Sequence, residues 1–185
     1  MSLSDTEFAV LRSTIATRGT IRMALLPLTI TGWAMLAAAV FLYAEMPMAV
    51  VFPLAILVAG FEAIHALHVG VERIGRYVQV NYESLPDAPQ WENTAMRMGP
   101  SLPGGGIDPL FTVVFMSTSF ANLIPVAALD VTRIEFGVLA MLHVIFIIRL
   151  VRARGAAARQ RAVDLETFKA IKSQIPVTKP PAAGM

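Results

Sequence analysis

The chain reads as all-α: a bundle of four membrane-crossing helices, with interfacial amphipathic helices at the N-terminus, in the 80–108 loop and at the C-terminus. Three observations lead there. Of 185 residues, 56% are hydrophobic and only 15% charged, whereas a soluble domain carries roughly 25% charged residues. Uncharged runs at 23–44 and 109–129 are long enough to cross a hydrocarbon core about 30 Å thick. The cations are also segregated. With both termini and the long loop on one side, 14 of the 15 Lys and Arg lie there and only Arg133 lies opposite. That pattern is the positive-inside distribution of four spans in a bacterial-type inner membrane with both termini cytoplasmic. The length suits one domain, 1–175, and the sequence PVTKPPAAGM at 176–185 reads as a disordered tail.

At the N-terminus, Ser4-Asp5-Thr6-Glu7 has the form of a capping box. Phe8, Leu11 and Ile15 follow on one face, with Arg12 and Arg18 off it. This predicts a short helix lying on the membrane surface and ending near Gly19. The first span is 23–44. The alanines at 37–39 resemble a signal-peptide cleavage site, but the apolar run continues past them, so a span is expected.

After a tight turn at Glu45-Met46-Pro47, the second span runs over 47–70, with Pro53 near its start, where a missing N–H costs least. This stretch organises the chain. It begins as an apolar span and becomes, without a break, an ionisable helix face: Glu62, His65, His68, Glu72, Arg76 and Gln79 recur every three or four residues.

In the long loop, Asp87 is a candidate N-cap for a short helix over 89–98, and Trp91 suits the headgroup region. Gly99-Pro100 ends that helix. The glycines at 104–106 form a hinge rather than a phosphate loop, because no Lys-Ser/Thr follows them and no strand precedes them. The third span, 109–129, carries Ser117, Thr118, Ser119 and Asn122, and Pro125 should kink it and free the carbonyl of Ala121. The fourth span, 131–151, reaches full length only if Arg133, Glu135 and Arg149 snorkel at its ends. Beyond it, a basic helix continues to 175 and should attract anionic lipid. No nucleic-acid reader motif accompanies the basic residues, so the lipid bilayer is the expected partner and nucleic acid is not.

The absence of cysteine excludes disulfides, iron–sulfur ligation and thiol catalysis. What chemistry the chain could hold lies in its polar intramembrane residues, which are costly and by default functional candidates. At 1.5 Å per residue, Glu62, His65, His143, Thr29, Thr118 and Asn122 all fall about 9–20 Å from the cytoplasmic ends of their spans, which suggests one polar layer.

Three readings of that layer compete. His65 and His143 could hold a b-type haem as paired axial ligands. Glu62, His65 and His68, with His143, could bind a divalent metal or relay protons. Alternatively, Glu62 pairs with His65, Glu72 pairs with Arg76, and the layer only locks the helices together. Arg73 and Arg76 are candidates for an anionic headgroup or substrate phosphate, against ordinary interfacial anchoring. No Ser-His-Asp set, phosphate loop or dinucleotide fingerprint is present. The sequence therefore reads as a non-enzymatic multi-pass protein, an accessory or structural subunit docking on a larger membrane complex or on copies of itself, with no cofactor favoured. The alternative is a small ion- or proton-coupled transporter, or a haem- or metal-binding protein.

Overall fold

In the computed structural model, described for residues 3–84, 88–98, 109–128 and 131–174, the chain is helical throughout apart from turns and connections. The elements are α1 (Leu3–Tyr43), a 3-10 turn (Pro47–Val50), α2 (Val51–Asn81), α3 (Trp91–Met98), α4 (Pro109–Ala121), α5 (Ile124–Ala128) and α6 (Arg133–Gln174).

α1 and α6, with 41 and 42 residues, are each about 60 Å long, twice what a bilayer core requires. α1 passes through Gly19 and Pro27 without a break. The expected N-terminal surface helix is therefore the first half of one continuous rod. Gly19 has nothing within 4 Å of an added Cβ, so no close packing there requires a stop. The C-terminal basic helix likewise continues α6. Both extensions stack against the end of α2 instead of lying apart from the bundle.

Cross-contacts fix the directions. α1 runs antiparallel to α2, through Arg22–His68 and then Thr29–Gly60. α2 and α6 run parallel, with partners 87 residues apart at Glu62–Arg149 and 92 apart at Val80–Lys172. α4 and α5 run antiparallel to both, from Phe111 beside Arg22 to Asn122 beside Val50. Gly60 makes the α1–α2 approach possible, since a Cβ there would lie 2.8 Å from Thr29 Cβ and closer still to its branches. Small residues at such crossings let helix backbones come together.

Three helices are long and apolar enough to cross a membrane: α1, the 3-10 turn with α2, and α6. Only 11%, 33% and 22% of their most apolar windows are buried inside the bundle, so most of that apolar surface faces outward. The third apolar segment is not one long helix. α4 closes with Asn122 N–H on the carbonyl of Thr118, and α5 restarts at Ile124. Pro125 accounts for the break, because it has no N–H to offer Ala121.

The core has two apolar clusters. One gathers Leu57, Phe61, Phe115, Phe146 and Leu150, in which the three phenylalanine rings meet edge-on with centroids 5.5–6.5 Å apart. The other, at the end remote from the charges, joins Val40, Val50, Val126 and Leu139. α6 begins with a capping box: the Glu135 carboxylate accepts from the N–H and hydroxyl of Thr132, and Thr132 Oγ1 accepts from the Glu135 N–H.

Candidate functional site

The polar residues singled out in the sequence form three tiers rather than one layer. The first, at the remote end, is centred on Asn122, which is fully buried. The helix break presents its amide to three neighbours. Its Oδ1 accepts from Trp33 Nε1 at 3.0 Å, and its Nδ2 donates to the Val50 carbonyl and to His143 Nε2, each at 3.1 Å. His143 Nδ1 in turn donates to the Leu139 carbonyl at 2.7 Å, which assigns the Nδ1–H tautomer. One amide thus ties α1, the 3-10 turn that leads into α2, and α6 together, and both imidazole nitrogens of His143 are occupied. Thr118, one turn before Asn122, has its hydroxyl bonded to its own helix, through the carbonyls of Val114 and Phe115.

The second tier lies beyond the phenylalanine cluster. Glu62 pairs with Arg149 at 2.8 Å rather than with His65. The Arg149 guanidinium also covers the Phe61 ring, and the His65 ring stacks parallel to Phe61 with centroids 5.8 Å apart. With the 87-residue offset of the Glu62–Arg149 pair, His143 is level with Ile56, about 13 Å along the axis from His65. Two axial ligands must sit at matching depth on either side of one iron, so the two histidines are not brought together for that geometry. The residues do not form a single layer because the charged ends of the helices are staggered, so equal distance from those ends is not equal height in the bundle.

The third tier marks the boundary between the apolar and charged halves. Arg22 Nη1 donates to His68 Nδ1 at 2.9 Å, and its guanidinium lies over the Phe111 ring. Glu72 pairs with Arg161 at 2.8 Å, not with Arg76. Glu62, His65 and His68 therefore face different partners. Among the described residues, no three His, Asp or Glu side chains converge as a metal-ligand set.

Beyond the third tier the charged half is a bonded bundle. Arg76, 3% exposed, pairs with Glu92 at 3.2 Å and donates to Gln79 at 2.7 Å. Arg12 reaches the same Glu92 at 3.3 Å. Arg73 pairs with Asp164 at 3.2 Å. Arg73 and Arg76, the two cations expected at headgroups, are thus matched by carboxylates of this chain. Burial pushes the Glu92 carboxyl above the ordinary carboxylate range, against the pull of Arg76 and Arg12. Glu83 caps α3 from outside, accepting from the Glu92 and Asn93 N–H groups at 2.6 and 2.8 Å. Asp87, the cap expected from the sequence, lies outside the described residues.

Sequence reasoning did not single out Trp33, Gly60, Glu83 or Glu92. The Thr132-x-x-Glu135 box was readable as a pattern, but nothing local marks Glu83 as a cap for amides nine and ten residues away.

No protein-family model, curated protein or solved structure matches this chain.

Proposed function

We propose that this is a non-enzymatic, multi-pass membrane protein serving as a structural or accessory subunit of a larger membrane assembly. The apolar halves of α1, α2 and α6 cross the bilayer, α4 and α5 together make the fourth crossing, and the charged halves project as a helical bundle on the cytoplasmic side. The observation that carries this reading is the fate of the polar groups. The Asn122 amide, His143 Nε2 and the Glu62 carboxylate are spent on contacts to other elements, and His143 Nδ1 is spent on its own helix, which leaves these residues as struts. Polar groups bonded in this way between elements support a packing role ahead of a ligand or proton site. Outward apolar faces on α1 (Leu28, Met35, Phe41) and α6 (Met141, Val144, Ile145) supply surface for lipid or for partner helices.

The test is native mass spectrometry of the protein released gently from its own membrane. The expected result is the bare chain within a larger complex. Stoichiometric extra mass matching a haem or a metal ion on the isolated chain would overturn the structural reading and return His65, His68 and Glu62 to consideration as ligands.

A further inference from the structure

The boundary tier holds more positive charge than its own residues neutralise. Arg18 and Arg22 stand four residues apart on α1, so they share a face, and like charges at that spacing repel. Among the described residues neither has a carboxylate within ion-pair distance. Arg18 nevertheless leans on α2, where a Cβ at Gly70 would lie 2.6 Å from its Nη1. Arg22 is held against His68. Glu72, one turn beyond His68 on α2, is already engaged by Arg161.

Two donors in this cluster also lack an acceptor. Because Arg22 donates to His68 Nδ1, the imidazole proton sits on Nε2, and that atom is buried with no partner. Arg22 Nε is likewise buried and unbonded. Unpaired buried donors are costly and call for an acceptor. Two guanidinium groups and an imidazole N–H form a donor set that suits a phosphate.

We infer that Arg18, Arg22 and His68 form a phosphate-binding site at the boundary of the apolar and charged halves, and that its occupant is the headgroup phosphate of an anionic phospholipid. The choice of lipid rests on the membrane reading above and on height. Arg22 is the last charge before the uncharged run 23–44. His68 lies six residues, or about 9 Å, beyond Glu62 in the direction of the charges, which is where headgroups begin if Glu62 and Arg149 mark the edge of the hydrocarbon. The lone cations Arg152 and Arg159 are exposed on α6 and supply a control for general attraction between a basic surface and an anionic membrane.

The full chain is placed in phosphatidylcholine nanodiscs containing a minor fraction of spin-labelled phosphatidylglycerol, and the motionally restricted label is measured by electron paramagnetic resonance. At about fivefold per cation, R18Q/R22Q should lower the preference for phosphatidylglycerol at least about 25-fold, and by clearly more than R152Q/R159Q lowers it. If R18Q/R22Q does not fold, H68L carries the test, with a smaller loss expected. Equal loss in the R152Q/R159Q control, or no preference in the wild-type chain, overturns the site. Failure of the chain to enter the discs at all would instead overturn the membrane reading. A parallel titration of the detergent-solubilised protein with inorganic phosphate separates the sources. Lipid retention unaffected by phosphate supports the headgroup, whereas saturable phosphate binding that displaces lipid overturns the headgroup in favour of a soluble phosphate.

Discussion

Asn122 shows what one polar residue does in an apolar bundle. The break imposed by Pro125 ends α4 where the Asn122 amide can reach α1, the 3-10 turn before α2, and α6, and every hydrogen-bonding direction it uses is met by a partner far away in sequence. Asn122→Leu leaves the Trp33 N–H and His143 Nε2 without their partner, so the unfolding free energy in detergent should fall by about 1–2 kcal/mol, the upper part of the range for such bonds between membrane helices. A drop no larger than that of a surface substitution such as Thr132→Ser would show the knot to be ornamental. Its existence was half legible. An Asn at depth beside a proline announces a need for partners, but Trp33 lies 89 residues away and Val50 lies 72 away. Only the folded chain brings them within reach. For the same reason Glu62 was assigned to its helix neighbour His65, when Arg149 on α6 offers a full charge.

Among the elements, α3 docks through an ionisable group whose titration is shifted. It sits on α2 through Glu92, which faces Arg76 from α2 and Arg12 from α1, and Glu83 holds its first amides. Because burial raises the Glu92 carboxyl above its ordinary value, the folded bundle holds that proton more tightly than the unfolded chain does. The stabilisation from this group is complete below the ordinary carboxylate range and is lost as pH rises through the raised value. Hydrogen-exchange protection of the α3 amides, corrected for intrinsic rates, should therefore be greater in mild acid than at neutral pH. Glu92→Gln should flatten that dependence. A slope that survives the substitution would assign it to another group. The helical character of this segment was legible from its composition and from Gly99-Pro100 beyond it. Its charge partners were not, because the periodicity of α2 shows which residues share a face but not which helix covers that face.

For the whole molecule, the consequential feature is the length of α1 and α6 relative to a bilayer. Each rod is long enough to cross and then extend about as far again, and the extensions are joined by Tyr77–Glu7, Phe8–Tyr82 and Tyr77–Phe168 contacts. The chain has no cysteine, so a single introduced one reports its side unambiguously. Met46 is 69% exposed at the remote end, and Ala170 is exposed near the end of α6. In intact cells a membrane-impermeant maleimide should label Met46→Cys and spare Ala170→Cys. The reverse result would invert the orientation. Labelling of both sites would break the parity that places α1 and α6 with their charged halves on one side.

Composition, run length and charge segregation were enough to establish a helical chain with membrane-length apolar segments, because hydrophobicity and charge are properties of local stretches. Pro125 likewise marked its own helix break, since a missing N–H acts within one turn. Whether a helix stops at a glycine, how the rods are staggered and which polar groups meet depend on distances between residues up to 92 positions apart. Packing sets those distances. The close seat of Thr29 on Gly60 and the interlocked rings of Phe61, Phe115 and Phe146 fix the stagger, and the stagger divides the expected single layer into three tiers. Pairing followed from it: Glu62 met Arg149, Glu72 met Arg161, and among the described residues Arg18 and Arg22 lie against α2 without a carboxylate partner.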